Sequence, residues 1–214
     1  MVNPDGVRGG NYRTNLRGQE LEQGWIYDEE NPQELTLEAP LENRLIHEKM
    51  REFLQPVDGS PAVSMVLNLH SSNEEPEVAA YLVPHFGSDP GEYDEEEREM
   101  WHNQIDFIDH VSYFYNERIE KPPPEGGSDF LKYFYPERWW WENEKEVIAM
   151  TLETTYGKAG YDHWVTDTDI KDLGKSLAYA IDCYYLETCS LPRKVRYNES
   201  GQSEIYTIEN RLSH

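Results

Sequence analysis

Ala62-Val63-Ser64-Met65-Val66-Leu67-Asn68-Leu69-His70 decides how the rest of this chain is read. The run before the histidine is short, apolar, partly β-branched and bounded by turn residues, the pattern of a buried strand. It predicts a strand from Ala62 to Leu69 that delivers His70 at its C-terminal end. Upstream, after Pro40, the residues Leu41, Leu45, Ile46, Met50, Phe53 and Leu54 recur at helical spacing. They predict an amphipathic helix to about Gln55, stopped by Pro56, Gly59 and Pro61.

Downstream, Val78 to Val83 predicts a second strand, and the acidic stretch through Asp94-Glu95-Glu96-Glu97 opens a long helix reaching about Arg118. Negative charge suits that helix start, where backbone N–H groups are unpaired. Trp101, Ile105, Ile108 and Tyr115 fall on one broad face of it. A loop at Lys121 to Gly127 precedes strand-like Val147 to Leu152. A last helix opens at Thr166, with Asp169 three residues on as in a capping box, and carries Ile170, Leu173, Leu177, Ile181 and Tyr184 along one face. Val195 to Ile208 reads as a hairpin around Asn198-Glu199-Ser200-Gly201. The N-terminal stretch reads as loop, because Asn3-Pro4-Asp5-Gly6, Gly9-Gly10 and Gly18 are turn signals.

Strands interleaved with helices predict an α/β domain with a mixed, largely parallel sheet, in which functional groups gather at strand C-termini. His70 and Glu153 both fall at such positions. At 214 residues the expectation is one domain spanning 1–214, with 195–214 as a hairpin and tail.

The 42 acidic against 19 basic side chains give a formal charge of -23, a field that repels phosphates and anionic membranes and excludes a nucleic-acid partner. Such acidity suits a solvated surface adapted to salt, an attraction for cationic peptides, or solubility alone. Hydrophobic residues are 37% of the chain, yet 15 Tyr, 6 Trp and 6 Phe supply large buriable groups, so wholesale disorder is excluded. No apolar run reaches the roughly 18 residues of a membrane span, and Met1-Val2-Asn3-Pro4-Asp5 lacks the regions of a signal peptide. The compartment is left open. Cys183 and Cys189 make no disulfide framework and are expected to be free structural thiols.

A neutral imidazole is a metal ligand, and a carboxylate beside a metal-bound water is a general base. A lone histidine at a strand end is otherwise a hydrogen-bonded structural residue, so His70 and Glu153 acquire meaning only from context. That context is a set of segments in one order: Asn3-Pro4-Asp5-Gly6-Val7, Asn11-Tyr12-Arg13-Thr14-Asn15, Gly18-Gln19-Glu20-Leu21-Glu22-Gln23-Gly24-Trp25, Leu67-Asn68-Leu69-His70-Ser71-Ser72 and Thr151-Leu152-Glu153-Thr154-Thr155-Tyr156-Gly157. Together they resemble the carboxypeptidase A-like zinc metallocarboxypeptidase family, over most of the chain. The resemblance implies a sheet with helices on both faces, a zinc cofactor, and hydrolysis at a peptide or protein C-terminus. It assigns His70 as the third zinc ligand, Glu153 as the base that activates water, and Arg13 as the fixed cation that stabilises the oxyanion.

Three departures limit the assignment. The family's first two ligands come from a His-x-x-Glu motif, and none occurs here: the third residues after His47, His70, His85, His102, His110 and His163 are Met50, Asn73, Ser88, Ile105, Tyr113 and Thr166. The missing pair is expected upstream of Met1, in a domain incomplete at its N-terminus; a native short pseudoenzyme is the alternative. Second, the family's Asp-x-Asn-Arg segment, which binds the substrate's terminal carboxylate, reads Glu20-Leu21-Glu22-Gln23 here. Glu22 for Asn and Gln23 for Arg repel or fail to pair a carboxylate. Third, no tyrosine precedes Gly126-Gly127-Ser128 as a substrate cap. Ser71 beside His70 joins Glu22 and Gln23 as a substrate-binding candidate. Asp129 either lines the specificity pocket, favouring a basic terminal residue, or is structural.

The resemblance thus implies zinc-dependent peptide hydrolysis with a site incomplete in this chain, against a non-catalytic peptide- or partner-binding domain on the same scaffold. Trp139-Trp140-Trp141, with Tyr133, Phe134 and Tyr135 upstream, reads as core packing or as a stacking surface for a partner.

Overall fold

The structure is a computed structural model that describes residues 2–31, 33–53, 63–72, 79–84, 94–116, 119–120, 135–143, 146–186, 194–197 and 203–206. The chain divides into two compact units. The first combines Met1–Val66 with Asp129–Ala149, and the second Leu67–Ser128 with Met150–His214.

The first unit opens on a short helix, α1 (Pro4–Gly9), where the turn residues had predicted a loop. The same residues that punctuate turns also punctuate helices. Asn3 caps the start by accepting a hydrogen bond from the Gly6 N–H at 3.1 Å, Pro4 sits in the first turn, and Gly10 closes the end in the left-handed conformation at φ 76°. Asn3 also donates to the Thr14 carbonyl at 3.1 Å, which fastens α1 to the loop after it. Gly6 is required there, since a Cβ would stand 2.4 Å from that carbonyl oxygen.

Helix α2 (Leu41–Phe53) forms where a helix was predicted but turns a different face inward: Asn43, His47 and Met50 are buried, whereas Leu41, Leu45 and Phe53 of the predicted apolar stripe are exposed. Met65 and Val66, which begin strand β1 (Met65–Ser72), end the unit's first piece. Its second piece supplies the Trp-rich helix α4 (Pro136–Asn143). Trp139, Trp140 and Trp141 are each no more than 2% exposed, so the triplet is core and not a stacking surface. Their packing is directional: Trp139 donates to the Gln33 carbonyl at 3.3 Å and meets the His47 ring edge-on at 5.3 Å, and Trp141 donates to the Ala149 carbonyl at 3.0 Å.

In the second unit, β1 continues beside β2 (Ala80–Val83), β3 (Ile119–Glu120) and β4 (Ile148–Thr155), in the sheet order β1-β4-β2-β3. The sheet is mixed, with β2 parallel to β3 and antiparallel to β4. With the helices it makes an α/β fold. Helix α3 (Glu95–Phe114) starts in a complete capping box, Asp94 accepting from the Glu97 N–H and Glu97 accepting from the Asp94 N–H. It ends at Phe114, before the expected Arg118, where Asn116 turns left-handed at φ 54°.

Helix α5 (Asp167–Leu186) packs along α3, with Ser176 donating to the Phe114 carbonyl at 3.2 Å and Tyr184 edge-on to Phe107 and His110. The Thr166–Asp169 cap read from sequence is present, since Asp169 accepts from the Thr166 N–H at 2.8 Å. Cys183, on α5, is disulfide-bonded and not the free thiol expected. Two cysteines build no framework, but that argument never excluded a single bridge. Strands β5 (Lys194–Tyr197) and β6 (Ser203–Tyr206) form the predicted antiparallel hairpin. No helix among the described residues is long and apolar enough to cross a membrane.

Candidate functional site

Strand β1 extends three residues past the expected Leu69, and β4 three past the expected Leu152. His70 and Glu153 are therefore held inside their strands, each third from the end, and not on the loops that follow. Adjacent strands in the sheet bring them together: an imidazole nitrogen of His70 and a carboxylate oxygen of Glu153 lie within 4.8 Å of one another. Both side chains are half-buried, and Glu153 Oε2 is shielded from solvent. Thr154 locks the register beside them, donating to the His70 carbonyl at 3.2 Å, with its hydroxyl 2.8 Å from that of Ser71. Ser71 is exposed and shares its hydroxyl with the sheet partner, which gives it a positioning role on the strand.

In the first unit the loop carrying Arg13, Glu22 and Gln23 is built around Asn15, which is 1% exposed. Its side-chain oxygen accepts from the Arg17 and Gln19 N–H groups, both at 3.0 Å, and its amide donates to Gln19 and to Glu42 on α2. A bridge between Thr14 and Glu20 brings the two arms of the loop together. Arg13 Nη1 then meets Glu22 Oε2 at 2.9 Å. The Glu22 charge, followed by a hydrogen bond with Tyr12, raises the Arg13 pKa further, so the guanidinium is a fixed cation. Its charge is already answered by a carboxylate.

Gln23 is also engaged, its amide donating to the Tyr135 hydroxyl at 3.1 Å. Tyr135 is 5% exposed, and burial raises its phenol pKa against the opposing pull of the Gln23 hydrogen bond. Sequence reasoning assigned Tyr135 only to an aromatic cluster. Its link to Gln23 spans 112 residues of chain, a separation at which no local pattern signals a contact. Asp129 lies outside the described residues.

No protein-family model matches the chain, and no curated protein matches it by sequence. Solved structures do. A metallo-carboxypeptidase from Burkholderia cenocepacia superimposes with a TM-score of 0.58 at 20% identity, over 84% of this chain and 42% of its own. A protein described as a carboxypeptidase from Burkholderia mallei ATCC 23344 gives a TM-score of 0.59 at 20% identity, with the same coverages. The fold is metallocarboxypeptidase-like.

This chain spans less than half the length of those carboxypeptidases. What the metallocarboxypeptidase-like scaffold provides within it is a strand pair presenting an imidazole beside a carboxylate, and a loop presenting an arginine already paired to an acid. The first combination suits metal ligation and proton transfer.

Proposed function

We propose that the chain belongs to a zinc-dependent hydrolase that cleaves a peptide or amide bond at a substrate's C-terminal end. The observation that carries this reading is the closeness of His70 and Glu153 on neighbouring strands of a carboxypeptidase-like scaffold. The two residues fit one zinc ligand and one base. A catalytic zinc takes three protein ligands, and the sequence contains no His-x-x-Glu to supply the other two. Zinc, when bound, acidifies its water and polarises the carbonyl. The protein's own part is separate from that. His70 presents a ring nitrogen; Glu153 takes the proton from the attacking water and returns it to the leaving amine; the loop carrying Arg13 meets the substrate's C-terminal end. Ser71 and Thr154 hold the strands that present the first two.

Two variants of the whole chain test this reading by losing different things. His70→Ala is expected to weaken the binding of zinc added in titration, whereas Glu153→Gln is expected to keep that binding and to lose about 100-fold or more in hydrolysis of an acylated dipeptide in the presence of added zinc. A wild-type chain that neither binds added zinc nor hydrolyses any peptide in its presence sinks the proposal. That outcome favours the second reading, a non-catalytic peptide-binding domain, for which the Arg13–Glu22 pair already speaks.

A further inference from the structure

The loop of the first unit sorts charges in an unusual way for a surface offered to a C-terminus. Arg13 faces Glu22 at 2.9 Å, and Glu20 adds a second acid, accepting from the Glu22 N–H at 3.3 Å. A carboxylate drawn to Arg13 has to approach two like charges beside it, which offsets the attraction that recruited it. A guanidinium beside a carboxylate instead presents a donor and an acceptor side by side. A primary carboxamide carries the matching set, a carbonyl oxygen for Arg13 and N–H groups for Glu22, whereas a carboxylate offers only acceptors.

Gln23 does not restore a cation. Its amide is tied to Tyr135, a buried phenol whose pKa is raised, so the hydroxyl stays neutral and keeps that hydrogen bond across the physiological range. From this geometry we infer that the Arg13–Glu22 pair selects substrates whose leaving end is a neutral carboxamide over those ending in a free carboxylate, with Glu22 as the specificity-determining residue. The inference rests on the hydrolase reading only in taking the Arg13 loop as the part that meets the substrate's end.

The test is a calorimetric titration of the full chain, at low salt and without metal, with one N-acetylated dipeptide prepared as the C-terminal carboxamide and as the free acid. The carboxamide is expected to bind about tenfold or more tightly, the scale of one charged hydrogen bond made or lost. Because the whole protein carries a charge of -23 and repels any anion, two charge-matched variants separate local from global effects. Glu22→Gln is expected to shift the preference toward the acid by about tenfold. Glu48→Gln, on the exposed face of α2, removes the same charge and is expected to leave the preference in place.

Equal or tighter binding of the acid by the wild type overturns the inference, as does a shift of the same size in both variants, or no binding of either peptide at millimolar concentration. The two readings fail separately. A chain that prefers the carboxamide but hydrolyses nothing loses the hydrolase reading alone, and one that hydrolyses peptides while preferring the acid loses this inference alone.

Discussion

Buried in the first unit, His47 is 3% exposed, and its Nε2 has no hydrogen-bond partner among the described residues. Burial lowers its pKa, outweighing the attraction of Glu34 and Glu48, while Arg51 pushes in the same direction as burial. The sign follows from proton counts. The folded state resists protonation that the unfolded chain accepts, so stability is full above the unfolded value of about 6.5 and falls as pH drops through the interval below it. The limit for one proton is about 1.4 kcal/mol per pH unit. Exposed His163, held between Asp162 and Asp169, has a raised pKa and opposes this trend, so the useful quantity is a difference. Urea midpoints measured from pH 8 to pH 5 should fall more steeply for wild type than for His47→Phe, and parallel profiles would remove His47 as the cause. At this scale the sequence was legible where the partner is near. Arg13 and Glu22 were both singled out, but their pairing, which changes what each can do, depends on the turn around Asn15. Tyr135 was illegible as a site residue, because its partner Gln23 is reached through tertiary structure alone.

Elements were read well where periodicity is long, as in α3 and α5, and where a cap is chemically explicit, as at Thr166 and Asp169, while α2 formed with another face inward than its apolar spacing predicted. They were misread where one residue type serves two ends. Asn3, Pro4 and Gly10 announce a turn and a short helix equally well, and the hydrogen bonds to Gly6 and Thr14 decide between them. Strand ends were misjudged for a related reason: β1 and β4 run on through His70 and Glu153 because the backbone ladder continues into polar residues that hydropathy alone would exclude. In α4 the element is held by its aromatic face. Trp139 fills the space beside His47 and its indole N–H reaches Gln33, so Trp139→Ala removes packing and a hydrogen bond at once. The expected loss is about 3–5 kcal/mol by denaturant titration, the range for deleting a buried Trp. A loss below about 1 kcal/mol would mean that α4 contributes little to the first unit.

At the scale of the molecule the charge of -23 is a property of the surface and says nothing of the fold, yet it bears on stability. Like charges held at folded distances repel, and added salt screens them over a length of about 10 Å at 0.1 M. Raising sodium chloride from about 0.01 M to 0.5 M should therefore raise the melting temperature, and a fall on addition of salt would show that the described ion pairs outweigh the repulsion.

The two-piece make-up of the first unit matters while the chain is being made. Its second piece begins at Asp129 and ends at Ala149, so 83 residues separate Val66 from the point at which the unit is whole (149 − 66). At about 5–20 residues per second, a nascent chain waits roughly 4–15 s between emerging as far as Val66 and acquiring Trp139, Trp140 and Trp141. Throughout that interval His47 lacks the indole it packs against. Birth order and spatial order disagree here, and the growing polypeptide spends those seconds with half a core.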